Sequence, residues 1–285
     1  MIIAVFSDIH GNYVALQKCV EHALRRDIDI CIFLGDYLGE FPYPQKTLDI
    51  LYQMKEKHTC FFIRGNKEDY WIHRRDHTEC EWKNGNSTVG AMQYCYAYLT
   101  EKDIDFFASL PICQEIKLEG AKPFLICHGS PVRNNEKLFP NHETTKRMLD
   151  HCEYDYILCG HTHLQGIIED NGRIVLNPGA VGVSLHSAGK AQFMILHQDM
   201  RGWKHEFVTL DYDREKVIKE MKNSGLEDMA PYWCQVTKHL ILTGDVSHGT
   251  VLAKAIKLCE EEQESCNWYD VPEKYWKKAI GELIS

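Results

Sequence analysis

Five short blocks of this sequence join metal-ligating side chains to glycine: Ser7-Asp8-Ile9-His10-Gly11-Asn12, Gly35-Asp36, Gly65-Asn66-Lys67-Glu68, His128-Gly129 and Gly160-His161-Thr162-His163. Glycine lets the backbone turn tightly and approach an ion or a phosphate. The blocks supply seven candidate ligands: Asp8, His10, Asp36, Asn66, His128, His161 and His163. That is enough for two metal ions sharing one carboxylate, and two ions about 3.5–4 Å apart are a common centre for phosphoryl transfer. Asp36 is the candidate to bridge, because a carboxylate offers two oxygens while an imidazole nitrogen binds one ion. Gly160-His161-Thr162-His163 is the strongest single block, since two imidazoles one residue apart after an apolar strand are costly unless something binds them. Asp8 and His10, two residues apart, are expected to point to the same side of an extended backbone. Read singly, the blocks have plainer explanations: Asp8 or Asn12 could cap a helix starting near Tyr13, and Asn66 could be a turn residue.

What must position these residues is a set of short apolar runs, each ending at a block: Ile2–Phe6, Ile30–Leu34, Cys60–Ile63, Phe124–Cys127 and Tyr156–Cys159. Continuous runs of this length fit buried strands covered on both faces. Helical spacing at Tyr13–Arg25 and Tyr43–Lys57 makes the first half alternate strand and helix, with ligands at strand carboxyl ends, where open α/β sheets bind. Arg173–Leu176, Ala191–His197 and Trp203–Leu210 read as a meander, with Asn171-Gly172 and Arg201-Gly202 as turns. The expected fold is α/β, two mixed β-sheets packed face to face and flanked by helices, over residues 1–212. Residues 68–110 read as a mostly helical insertion beside the ligands, helical from Thr88 to Leu110 and stopped by Pro111. Residues 213–285 read as a charged helical extension without a coherent ligand set, its Trp268, Tyr269, Tyr275 and Trp276 docking it on the core. Gly244-Asp245-Val246-Ser247-His248-Gly249 echoes the first block, but a helix over Val251–Glu261 capped by Ser247 or Thr250 accounts for it. His73, His77, His142, His151 and His186 read as surface or loop residues, His73 and His186 being the ones that could reach a pocket.

The order and content of the blocks resemble the calcineurin-like metallophosphoesterase superfamily, whose pattern reads Asp-x-His, Gly-Asp, Gly-Asn-His-Asp/Glu, Gly-His and Gly-His-x-His. The likeness spans roughly residues 2–182. Gly35-Asp36-Tyr37-Leu38-Gly39-Glu40, His128-Gly129-Ser130-Pro131 and Leu176-Asn177-Pro178-Gly179-Ala180-Val181-Gly182 resemble its compact bacterial branch. The resemblance implies a four-layer sandwich, Asp8, His10 and His163 as ligands of one metal, and Asn66, His128 and His161 as ligands of the other. Lys67 stands where the family usually has a histidine that protonates the leaving oxygen. Three roles are open to it: an ammonium holding phosphate charge, an acid if metals depress its pKa, or a side chain reaching solvent. Glu68 is expected to pair with it, which makes Asp36, Asn66, Lys67 and Glu68 the catalytic candidates; Asn12 and Arg133 are candidates for substrate contact.

A formal charge of −9, with no basic run longer than Arg74-Arg75 or Lys277-Lys278, argues against a nucleic-acid surface. Met1–Phe6 lacks the basic flank and length of a signal peptide, and no apolar stretch approaches the ~20 residues of a membrane span. Twelve cysteines without a Cys-x-x-Cys spacing read as reduced thiols. The expectation is a soluble, cytoplasmic enzyme that hydrolyses phosphate esters, a phosphodiesterase or phosphomonoesterase, on a small phosphorylated substrate. Mixed N and O ligands fit two divalent transition-metal ions, Mn²⁺ first, with Fe²⁺, Zn²⁺ or Co²⁺ as alternatives. A catalytically silent scaffold and a nuclease of the same fold are the competing readings. The residues do not fix the oligomeric state.

Overall fold

The computed structural model describes residues 1–77, 82, 86–200, 202–263 and 265–284. One sheet has the order β10-β9-β1-β2-β3 and is built from β1 (Ile2–Phe6), β2 (Ile30–Phe33), β3 (Thr59–Phe62), β9 (Ala191–Asp199) and β10 (Gly202–Leu210). The other has the order β4-β5-β6-β8-β7, from β4 (Cys113–Ile116), β5 (Phe124–Cys127), β6 (Tyr156–Leu158), β7 (Gln165–Asp170) and β8 (Arg173–Pro178). Both are mixed. β1, β2 and β3 run parallel, as do β5, β6 and β8, while β9, β10, β4 and β7 pair antiparallel.

The strands are apolar throughout because both of their faces are covered. Ile3, Val5, Ile30, Ile32 and Leu34 meet Phe124, Ile126, Leu158 and Leu176 between the sheets. The opposite face of the first sheet, Phe6, Cys31, Phe33 and Phe193, packs on α1 (Tyr13–Leu24) and α2 (Pro44–Lys57). The opposite face of the second, Leu125, Cys127, Ile157 and Val175, packs on α6 (Glu143–Asp150). Asn12 caps α1 by accepting from the Ala15 amide at 3.1 Å, and Ala15, Leu16, Cys19, Val20 and Ala23 give that helix its buried stripe.

Two strands escape the sequence reading. β4 and β7 are edge strands of mixed polarity, and β7 is only half-covered, so neither carries an apolar run. Asn171-Gly172 does turn the β7–β8 hairpin, with φ of 50° and 78°, the two positive values that a two-residue hairpin turn requires. The Arg201-Gly202 turn includes Arg201, which lies outside the described residues.

The insertion holds α3 (Asn66–Asp76), α4 (Ser87–Tyr96) and α5 (Glu101–Ser109). The single helix expected over Thr88–Leu110 is two, because Thr100 and Asp103 form a capping box that starts a new helix. Beyond β10 come α7 (Arg214–Asn223), α8 (Leu226–Met229), α9 (Pro231–Thr243), α10 (His248–Glu262), a 3₁₀ turn at Trp268–Asp270 and α11 (Glu273–Leu283). Their apolar faces share one cluster with Phe41, Ala91, Tyr94, Ala180 and Val183, and Trp276 and Tyr275 are buried in it as expected of docking aromatics. Glu273 accepts from both the amide and the hydroxyl of Ser87, and Asn86 Nδ2 donates to the Tyr269 carbonyl at 2.7 Å, fastening the extension to the insertion.

Candidate metal centre

The carboxyl ends of β1, β2, β5 and β6, with the first turn of α3, bring all seven ligand candidates to one place. Asp8, His10, Asp36, His161 and His163 lie in the left-handed region, with φ between 53° and 66°. That conformation is uncommon outside glycine and clusters at functional sites. It corrects the expectation of an extended backbone at Asp8 and His10: the chain coils there, and converging side chains come from two left-handed residues rather than from strand alternation. Glycine is demanded by crowding. A Cβ on Gly160 would overlap the Ser7 hydroxyl and come within 2.7 Å of Asp8 Oδ2, and one on Gly65 would overlap Asp36.

Two triplets result, Asp8–His10–His163 and Asp36–His128–His161, and within each the ligand atoms all lie within 4.8 Å of one another. In the first, His163 Nε2 is 3.2 Å from His10 Nε2 and 3.3 Å from Asp8 Oδ1. In the second, His128 Nε2 is 3.4 Å from Asp36 Oδ1. The other Asp36 oxygen, Oδ2, lies 3.5 Å from His10 Nε2 of the first triplet. The carboxylate therefore faces both, as a bridge must.

Asp8 Oδ1, Asn66 Oδ1 and His128 Nε2 are buried and have no hydrogen-bond partner. Two carbonyl-type oxygens and a ring nitrogen facing inward without hydrogen bonds would be a heavy desolvation cost in an ordinary core, and a cation among them removes it. Their neighbours fix which atoms stay free. Asp8 Oδ2 is occupied by the Ser7 hydroxyl at 2.6 Å and the His161 amide at 3.0 Å. His128 Nδ1 donates to the Leu34 carbonyl at 2.6 Å, and His10 Nδ1 donates to Glu40, so each imidazole presents Nε2 to the centre. The residues thus fit two divalent ions.

Burial disfavours charge on His10, but the Glu40, Asp8 and Asp36 carboxylates override it and push the ring up to about 10. His128 is likewise raised against burial by Asp36 and Asp8, to about 9. His161 moves the other way, to about 4, through burial and the neighbouring His128.

Lys67 Nζ is 2.7 Å from Glu40 Oε1, so one buried carboxylate holds both the His10 ring and the Lys67 ammonium. Burial opposes the ammonium charge, yet Glu40 and Asp36 keep its pKa above the ordinary lysine range. Glu68 does not pair with Lys67. It accepts from the Asp36 amide at 2.9 Å, the Tyr37 amide at 2.9 Å and the Gly65 amide at 2.8 Å, clamping the two ligand loops together. Its place at the third residue of α3 aims it back at those amides, a geometry the pairing expectation overlooked.

Residues 1–201 match the calcineurin-like phosphoesterase superfamily domain. The chain belongs to that superfamily. An uncharacterised protein of Methanocaldococcus jannaschii is 26% identical to it over 245 residues, 80% of this chain and 94% of that one. A hypothetical protein from Pyrococcus horikoshii superposes with a TM-score of 0.72 at 21% identity, covering 86% of this chain and 99% of the other. A metallophosphoesterase from Sphaerobacter thermophilus does so with a TM-score of 0.64 at 20% identity, covering 83% and 100%. These two likenesses speak for the fold.

In this phosphoesterase the centre opens into a cavity of about 230 Å³ whose lining includes His10, Asp36, Asn66, Lys67, His161 and His163. Arg133 is not part of it. That side chain is exposed and lines a larger groove of about 640 Å³ with Val132, Arg147 and Met148, which contains none of the ligand candidates. The cations in the cavity wall are Lys67 and Lys137. Asn12 is buried and fully used, capping α1 and donating to the Gly182 carbonyl and the Tyr212 hydroxyl at 3.2 Å each, so it is a structural residue. His73 stacks on His77 with ring centres 4.2 Å apart, and neither it nor His186 lines the cavity. The further histidine that lines it beside the ligand candidates is His248, held neutral by burial at about 3 and bonded through Nε2 to the Thr237 hydroxyl at 2.7 Å. Ser247 does cap its helix, accepting from the Thr250 amide, but the echo of the first block was also a signal of position. The described residues contain no helix long and apolar enough to cross a membrane.

Proposed function

We propose that the protein hydrolyses phosphate esters of small molecules with two divalent transition-metal ions, Mn²⁺ first, one held by Asp8, His10 and His163, the other by Asn66, His128 and His161, with Asp36 between them. The observation that carries this reading is Asp36 facing both triplets while Asp8 Oδ1, Asn66 Oδ1 and His128 Nε2 are buried without a hydrogen bond. When bound, such ions polarise phosphoryl oxygens and generate a hydroxide nucleophile near neutral pH. The chain's own residues orient and hold charge around that chemistry. Glu40 fixes the His10 tautomer and steers Lys67, Glu68 fixes the backbone of Asp36, and Lys67 stays an ammonium that favours negative charge on a phosphoryl group. A proton held that firmly suits electrostatic stabilisation better than donation to a leaving group. A cavity of about 230 Å³, below the ~300–1,000 Å³ of drug-sized ligand sites, favours a small substrate over a nuclease role.

The test is metal analysis of the purified protein together with assays of p-nitrophenyl phosphate and bis-p-nitrophenyl phosphate, with and without Mn²⁺. The expected result is metal-dependent release of p-nitrophenol, the preferred substrate telling monoesterase from diesterase. Metal bound without turnover of either would favour the silent scaffold.

A further inference from the structure

The cavity over the centre is roofed by residues that lie beyond the superfamily match at 1–201: Trp233 on α9, Ser247, His248 and Leu252 on α10 or at its start, and Trp268 in the 3₁₀ turn. The sequence reading gave Trp268, with Tyr269, Tyr275 and Trp276, a docking role and did not single out Trp233. For Trp276 that holds: its Nε1 donates to Thr88 Oγ1 at 3.1 Å inside the core. Trp233 and Trp268 are different, because both line the cavity.

Trp233 has partners on its ring but none on its nitrogen. His248 stacks on it with centres 4.5 Å apart, and Lys67 Nζ stands 5.6 Å from its centroid. Its Nε1 is buried and has no acceptor. That nitrogen is sealed off from the cavity, so Trp233 offers a ligand its ring and not its N–H. Trp268 is half-buried and lies against Tyr70, ring centres 5.7 Å apart and planes at 36°. Tyr70 sits one helical turn after Asn66 on α3, so this aromatic pair is next to the phosphoryl position. Met92 and Leu252 complete an apolar wall.

We propose that the C-terminal extension makes this centre selective for small aryl phosphoesters, the planar ring lying against Trp268 and Tyr70. The inference rests on the hydrolytic reading above and deepens it. The volume suits a phosphoryl group and one ring attached directly to the ester oxygen. The reaction is simple hydrolysis: the water oxygen bonds to phosphorus, the bond from phosphorus to the aryl oxygen breaks with its electron pair going to that oxygen, and the water's proton passes to solvent or to the aryl oxide.

Phenylphosphonate and cyclohexylphosphonate, titrated calorimetrically into the Mn²⁺-loaded protein, separate stacking from leaving-group chemistry, since neither can be hydrolysed. Phenylphosphonate should bind about fivefold tighter. Trp268→Ala should erase that margin and Trp268→Phe should keep most of it, while the kcat/KM ratio of phenyl to ethyl phosphate falls in Trp268→Ala alone. Equal affinity of the two phosphonates for the unaltered protein would overturn the inference, as would an unchanged margin in a folded Trp268→Ala. Neither outcome would touch the hydrolytic reading, which fails separately if no phosphoester is turned over.

Discussion

Lys67 is the residue at which this chain departs from its family's pattern, and its surroundings decide what it can do. An ammonium 2.7 Å from Glu40 and held above the ordinary lysine pKa stabilises charge rather than donating protons. Lys67→Ala should therefore lower kcat for p-nitrophenyl and alkyl phosphoesters about equally, by ~10²-fold as the loss of one preorganised donor typically does. A loss confined to the alkyl ester would instead mark Lys67 as the proton donor. The imidazoles make a second prediction. With His10 raised to about 10 and His128 to about 9, both carry protons in the metal-free protein at neutral pH, whereas His161, at about 4, does not. Metal binding at pH 7 should release about two protons, seen as calorimetric heats that depend on buffer ionisation. The sign for stability follows. Histidines with raised folded-state pKa values add stability below their ordinary value of ~6.5 that is lost as pH climbs through 9–10, so the Tm of the metal-free protein should fall across that window. Metal-loaded protein, whose rings are deprotonated throughout, should lack that fall; equal slopes with and without metal would contradict the ligand assignment.

The strand–glycine–ligand junctions are where element and site depend on each other. Gly160→Ala would press on Ser7 and Asp8, whereas Gly166→Ala meets nothing within 4 Å. The first should cost about 1–3 kcal/mol in thermal or denaturant unfolding and reduce metal content; the second should do neither. These junctions were legible in the sequence because a buried strand is apolar on both faces and its end is marked by glycine, so β1, β2, β5 and β6 were read to within a residue. β4 and β7 were not, because their side chains are mixed in polarity and mostly half-exposed, so neither carries a continuous apolar run. The candidate ligands that the fold gathers were legible for the same reason that Glu40 and Glu68 were misread or overlooked. A ligand is declared by its type and its neighbours in sequence, while Glu40 acts across 30 residues on His10 and 27 on Lys67, and Glu68 across 32 on Asp36. Local spacing gives Glu68 its bond to the Gly65 amide three residues back but carries no trace of the longer pairings.

At the scale of the whole molecule, two sheets bring their strand ends to one crevice, and a helical extension from the far end of the chain closes over it. The extension's roof was invisible to sequence reading because Trp268 reads as a docking aromatic and Trp233 carries no local signal until the fold brings both to the cavity wall. The core between the sheets is apolar and holds no ligand, so chelation should silence the enzyme while leaving the fold in place. The central claim is that Asp36 ties two metal sites into one centre, and elemental analysis of Asp36→Ala beside the unaltered protein, both reconstituted with Mn²⁺, tests it most directly. The account predicts two ions per chain in the unaltered protein, with metal lost from both sites and activity abolished in the variant; two ions per chain remaining in Asp36→Ala would contradict it.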